Sequence, residues 1–254
     1  MTDSGAVAST DNGEKATRPR KQRGVGIFIR DIVLIFLAAI IISVGIKTFL
    51  IRSFYIPSGS MENTLQINDR IIVNELVPRM VPLKHGDVVV FKDPGGWLTG
   101  DGVPPAPRPA GLAGAVDWVL SAVGLSASDS NDHLIKRVIG LPGDKVACCN
   151  AFGQLTVNGI PLVEPYITLQ PGNTKATRDD FSVTVPKDSL WVMGDNRDNS
   201  ADSAYHYTNN SPGKGFVPVD DVVGRAFVIT WPASHWGWLG DYPDVFNGVE
   251  SGTK

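Results

Sequence analysis

Two hydroxyls flank a glycine in Pro57-Ser58-Gly59-Ser60-Met61-Glu62-Asn63-Thr64-Leu65, and a lysine stands inside the strand-like run Leu134-Ile135-Lys136-Arg137-Val138-Ile139-Gly140. A serine attacks an amide when a base takes its proton. A lysine amine serves as that base once burial lowers its pKa from about 10.4 toward neutrality. Strand alternation puts Lys136 on one face with Leu134 and Val138, an apolar lining that would desolvate it. The competing arrangement turns Lys136 outward to one of the many acidic residues. Ser-Gly-Ser alone is ordinarily just a turn, so the two segments form a candidate only if the fold joins them.

Other hydrolytic chemistries find less support. No serine stands in G-x-S-x-G, and no H-E-x-x-H occurs. One S-x-x-K tetrad, Ser211-Pro-Gly-Lys214, would need both side chains on one helix face, and the Pro-Gly between them opposes a helix. The histidines His85, His133, His206 and His235 are scattered through loops and turns. A Ser–His–Asp triad stays open, because triads assemble from distant positions. No His/Cys cluster has zinc-site spacing, so neither metal nor cofactor is expected.

These residues need elements to hold them. The 254 residues suffice for one or two domains with a real core. A mean hydropathy of zero and a net charge of −3 describe an ordinary soluble chain with no nucleic-acid footprint. The averages hide a segregated sequence. From Ile32 through Ile51 runs a stretch of twenty residues interrupted only by Lys47, enough for a helix to cross about 30 Å of hydrocarbon. Lys15, Arg18, Arg20, Lys21, Arg23 and Arg30 precede it, so the positive-inside rule keeps the amino terminus cytoplasmic and exports the rest. No small-x-small cleavage site follows at Arg52-Ser53-Phe54-Tyr55, which favours a retained signal-anchor over a cleaved leader. The expected organisation is a disordered basic tail over 1–24, a transmembrane helix over 25–52, and an extracytoplasmic β-rich domain over 53–254.

Beyond the span, short β-type runs alternate with Gly-Asp, Pro-Gly and Asn-Gly signals. Strands are predicted over 70–77, 87–92, 134–140, 145–149, 155–157, 181–185, 190–193 and 222–231, with turns at Asn150–Gly153 and Asn158-Gly159. Long amphipathic helices are lacking there, which predicts a mainly β, antiparallel domain. A Gly/Pro-rich insert over 93–132 interrupts the pattern. Within it, Leu112, Val116, Val119, Leu120 and Val123 fall at helical spacing over 110–125, either capping the β core or resting on the membrane surface.

Taken together, PSGSMENTL at 57–65, HGDVVVFKDP at 85–94, HLIKRVIGLPGD at 133–144 and MGDNRDNSADS at 193–203, following a single span, resemble the type I signal peptidases. These are the membrane-anchored Ser–Lys proteases of bacteria. GRAFVITWP at 224–232 is similar to the family's closing strand, and the long insert has an actinobacterial or other Gram-positive style. The resemblance implies a signal-peptidase-type antiparallel β domain. It implies Ser60 as nucleophile, Lys136 as general base, an oxyanion hole from the Ser60 N–H and the Ser58 hydroxyl, and Ser200 as the residue orienting the lysine. Phe54, Ile56, Pro57, Leu65 and Ile135 match the shallow pockets that select Ala-x-Ala, while Asp195, Arg197 and Asp202 match a structural polar scaffold. The implied partners are exported preproteins, the lipid bilayer and, by proximity, the secretion translocon.

Two positions depart from the family pattern. Asn63 replaces a usual proline, which would loosen the turn. Ala204 stands where an arginine usually pairs with Asp202, leaving Arg137 or Arg197 to supply that charge. Cys148 and Cys149 are adjacent, and two thiols are expected in preference to a vicinal disulfide. The alternative functions are a self-cleaving, repressor-like Ser–Lys protease and a non-catalytic membrane-anchored β module that binds exported chains.

Overall fold

The computed structural model describes residues 24–98, 132–209 and 215–249. The predicted tail, the helical part of the insert at 110–125 and the Ser211–Lys214 tetrad fall outside these residues. The chain divides into two compact units, Met1–Ile42 and Ser43–Lys254.

Helix α1 runs from Gly24 to Phe49, and its stretch Gly26–Ser43 is long and apolar enough to cross a membrane. It stops short of the end expected from the apolar run. Ile51 and Arg52, assigned to the span by hydropathy, open strand β1 (Ile51–Tyr55), which pairs antiparallel with β2 (Arg70–Asn74). Hydropathy cannot separate the last turn of a spanning helix from an apolar strand that follows it directly.

The second unit is built on two antiparallel sheets. After β1 and β2 come β3 (Val88–Lys92), β4 (His133–Gly140), β5 (Lys145–Cys148), β6 (Thr156–Val157) and β7 (Ile160–Pro161). Then follow β8 (Phe181–Thr184), β9 (Ser189–Met193), the short helix α2 (Ser203–Asn209), β10 (Val217–Pro218), β11 (Val222–Trp231) and β12 (Gly237–Trp238). The larger sheet has the order β1-β2-β11-β3-β4-β9-β10, with β12 added beside β11. The smaller has the order β7-β6-β5-β8. The antiparallel β class expected from the sequence is the one observed, and seven of the eight predicted strands are shorter or longer by one to three residues. The hairpin at Asn158-Gly159 forms with φ of 52° and 84°, the left-handed pair that a two-residue turn requires.

Apolar side chains collect in three clusters. One of them joins Phe54, Ile56, Met61 and Leu65 from the chain around β1 to Val88 and Val90 of β3, Ile135 of β4 and Val223, Ala226 and Ile229 of β11. It lies beneath the serine loop. Cys148 and Cys149 are joined by a disulfide, contrary to the two thiols expected. Adjacency at the end of β5 puts both sulfurs together without any long-range closure.

Candidate active site

The serine loop leaves β1 through Ile56, whose N–H donates to the Asp69 carbonyl at 2.9 Å while its carbonyl accepts from Asn68 N–H. A turn then carries Ser60: Glu62 N–H donates to Gly59 O at 3.2 Å, and Leu65 N–H to Met61 O at 2.7 Å. Met61 and Leu65 are fully buried and anchor this turn in the apolar cluster. Asn63, expected to loosen it, is tied by its amide to Thr168 Oγ1 at 2.8 Å.

Lys136 comes from the middle of β4, which pairs with β3 on one side and β9 on the other. Its side chain is 3% exposed, and Nζ donates to Ser60 Oγ at 2.7 Å and to the Ile135 carbonyl at 3.1 Å. Burial lowers its pKa from 10.5 to about 8, against the opposing pull of the Asp202 and Asp195 carboxylates. The two segments singled out in the sequence thus meet, and the lysine faces inward. Ser58 Oγ stands 3.5 Å from Ser60 Oγ on the exposed side of the loop.

Ser200 does not bond the lysine in this geometry. Its buried Oγ has no hydrogen-bond partner among the described residues, and the amine turns instead to its neighbour's carbonyl. Ser200 nevertheless crowds the same corner. A Cβ added to Gly194 would lie 2.3 Å from Ser200 Oγ and 2.5 Å from the Ser60 carbonyl oxygen, so only glycine fits between them. A cavity of about 430 Å³ opens beside Ser200 and Asp202, and neither Ser60 nor Lys136 lines it.

The polar scaffold is arranged around two buried arginines. Arg137 forms a two-pronged pair with Asp195, Nε to Oδ1 at 2.9 Å and Nη2 to Oδ2 at 2.6 Å, and donates to the carbonyls of Gly86 and Gly240. Its guanidinium also lies 4.1 Å from the Tyr166 ring centroid. Arg197 pairs with Glu164 and donates to Gly194 O. Neither arginine therefore replaces the one missing at Ala204. Asp202 is satisfied by backbone instead: Gly194 N–H at 3.0 Å, Ala204 N–H at 3.1 Å and Tyr205 N–H at 3.4 Å. It caps the start of α2 through the Ala204 and Tyr205 N–H groups, which together with the Gly194 N–H do the work of a cation.

Of the residues matched to substrate pockets, Phe54, Ile56, Leu65 and Ile135 share the one apolar cluster, while Pro57 is exposed at its edge. Sequence reasoning missed the Arg137–Asp195–Thr64 network, the Glu164 partner of Arg197, and the contacts of Glu62 and Asn196. All depend on pairs more than 30 residues apart, which no local pattern reveals. Among the described residues no cluster of His, Cys, Asp or Glu could hold a metal ion.

A family model described as "Signal peptidase, peptidase S26" matches residues 29–231. A probable signal peptidase I of Mycobacterium leprae is 41% identical over 215 residues, covering 76% of this chain and 73% of that protein. A signal peptidase I of Mycobacterium tuberculosis is 39% identical, covering 82% and 74%, and a probable signal peptidase I-2 of Synechocystis is 38% identical, covering 80% and 73%.

Proposed function

The chain belongs to the signal peptidase family, peptidase S26, and from that premise we propose that it is a membrane-anchored serine endopeptidase cleaving N-terminal signal peptides from exported preproteins. The observation that carries the mechanism is the 2.7 Å contact from Lys136 Nζ to Ser60 Oγ, made by an amine whose pKa is held near 8. At pH 7 about one-tenth of such an amine is neutral, against about one in three thousand at the ordinary value.

Neutral Lys136 takes the Ser60 proton as Oγ attacks the carbonyl carbon of the last signal-peptide residue. The charge that grows on the carbonyl oxygen is met by the Ser60 N–H and the Ser58 hydroxyl, donors whose individual loss costs about 10²–10³ in rate. The lysine ammonium then protonates the departing amine as the C–N bond breaks, leaving an acyl ester on Ser60. Water, deprotonated by the same amine, hydrolyses that ester.

Selection for small residues before the cut, of Ala-x-Ala type, follows from the apolar surface of Phe54, Ile56, Leu65 and Ile135, with Pro57 at its rim. Large side chains would overlap it. β1 ends the larger sheet, so its outer edge can take the substrate backbone as an added strand. The basic tail and α1 give an amino terminus in the cytoplasm and the β unit outside, where preproteins leave the translocon. Cleavage of a preprotein in detergent by the wild-type chain, Ser60→Ala and Lys136→Ala tests the mechanism. Both variants should lose cleavage, and full cleavage by either refutes it.

A further inference from the structure

Of the carboxylates in the polar scaffold and the serine loop, three are spent. Asp195 is paired with Arg137, Glu164 with Arg197, and Asp202 accepts three backbone N–H groups. Glu62 is different. Its carboxylate folds back over Gly59, where an added Cβ would meet Cδ and Oε1 at 2.9 Å and Oε2 at 3.1 Å. It therefore lies against Gly59, the residue before Ser60. Its one polar contact among the described residues is a long bond from Asn196 Nδ2, 3.4 Å, on Oε2. The same Nδ2 also serves the Gly59 carbonyl at 3.1 Å, and Asn196 Oδ1 accepts nothing among the described residues. A carboxylate has about four acceptor sites, and here most stand open beside a second free acceptor.

We infer that Glu62 and Asn196 receive the new amino terminus of the mature protein, an inference that rests on Ser60 being the nucleophile. When the C–N bond breaks, the leaving nitrogen takes a proton from Lys136 and a second from water, and below its pKa of about 8 it becomes an ammonium. That cation carries three N–H donors and no acceptor, the complement of the open oxygens. Neither Glu62 nor Asn196 belongs to the apolar cluster assigned to residues before the cut, which leaves this polar rim to the chain that follows it.

The test is inhibition of the full-length chain in detergent at pH 7 by a six-residue peptide matching a mature amino terminus. The peptide is compared with its N-acetylated form. In the wild type the free amine should inhibit about fivefold more tightly. Glu62→Gln should bring the ratio to about one, and Glu62→Asp, which keeps the charge, should retain a preference for the free amine. A wild-type ratio of one overturns the inference without recourse to any variant. So does a ratio that Glu62→Gln leaves at its wild-type value, and should Glu62→Gln not fold, loss of the preference in Glu62→Asp overturns it as well. If instead Ser60→Ala still cleaves preprotein, the failure lies with the proposed function.

Discussion

Replacing Lys136 by methionine should abolish cleavage and at the same time stabilise the fold at neutral pH while destabilising it at pH 10.5. The lysine is fully buried, and its pKa falls from 10.5 to about 8 on folding. That fall is worth about 3 kcal/mol. Below pH 8 both folded and unfolded chains hold the proton, and the folded chain bears the cost of a buried ammonium. Between pH 8 and 10.5 the unfolded chain binds the proton and the folded chain does not, so stability rises with pH until the cost is gone. Methionine has a similar shape and no proton to bind. It forfeits the bonds to Ser60 Oγ and Ile135 O, about 1 kcal/mol each, at either pH. The difference between its effects at pH 7 and pH 10.5 therefore isolates the ammonium. Thermal unfolding in detergent, followed by near-ultraviolet circular dichroism, should give a Tm change more positive at pH 7 than at pH 10.5 by about 6–12 °C. A change equal at the two pH values would falsify the claim that Lys136 is desolvated.

Further predictions concern the groups around the dyad. The kcat/KM for a preprotein should climb about tenfold per pH unit and level off near pH 8. Asp202→Asn should move that limb lower, since the carboxylate holds the proton on the lysine; a limb at about 10.4 or one indifferent to Asp202 contradicts the geometry. Gly194→Ala should cut kcat/KM by about 10²-fold, because its methyl must displace the Ser60 carbonyl. Wild-type rates in that variant would mean that the corner has slack. Asp195→Ala strands the buried Arg137 charge and should cost about 3–5 kcal/mol of stability, read as a lowered Tm. An unchanged Tm would show that the pair is dispensable.

Much of this architecture is legible along the chain because the informative patterns are local. The β-type apolar runs of Val222–Trp231 and Leu134–Gly140, bounded by turn signals, mark strands, and Asn158-Gly159 demands its hairpin. β7, β10 and β12 escape because two residues hold no periodicity, and α2 because its start depends on Asp202 reaching the N–H groups of Ala204 and Tyr205. At the site, Ser60 and Lys136 are recognisable as types, but their contact is not, since 76 residues separate them. The role expected of Ser200 shows the limit from the other side. Its position in a familiar motif brings it to the right corner, yet the orientation of one hydroxyl is decided by what its neighbours already bond.

The order of strands in the larger sheet has a consequence for the life of the molecule. β1 and β2, which support the serine, are joined to β3 and β4, which support the lysine, through β11, a strand made more than eighty residues after Lys136. Val223, Ala226 and Ile229 from that strand also fill the cluster beneath the serine loop. The two halves of the dyad therefore share no continuous sheet until residues 222–231 are inserted between them. A nascent copy that lacks residues 222–231 lacks the strand that joins its serine half to its lysine half.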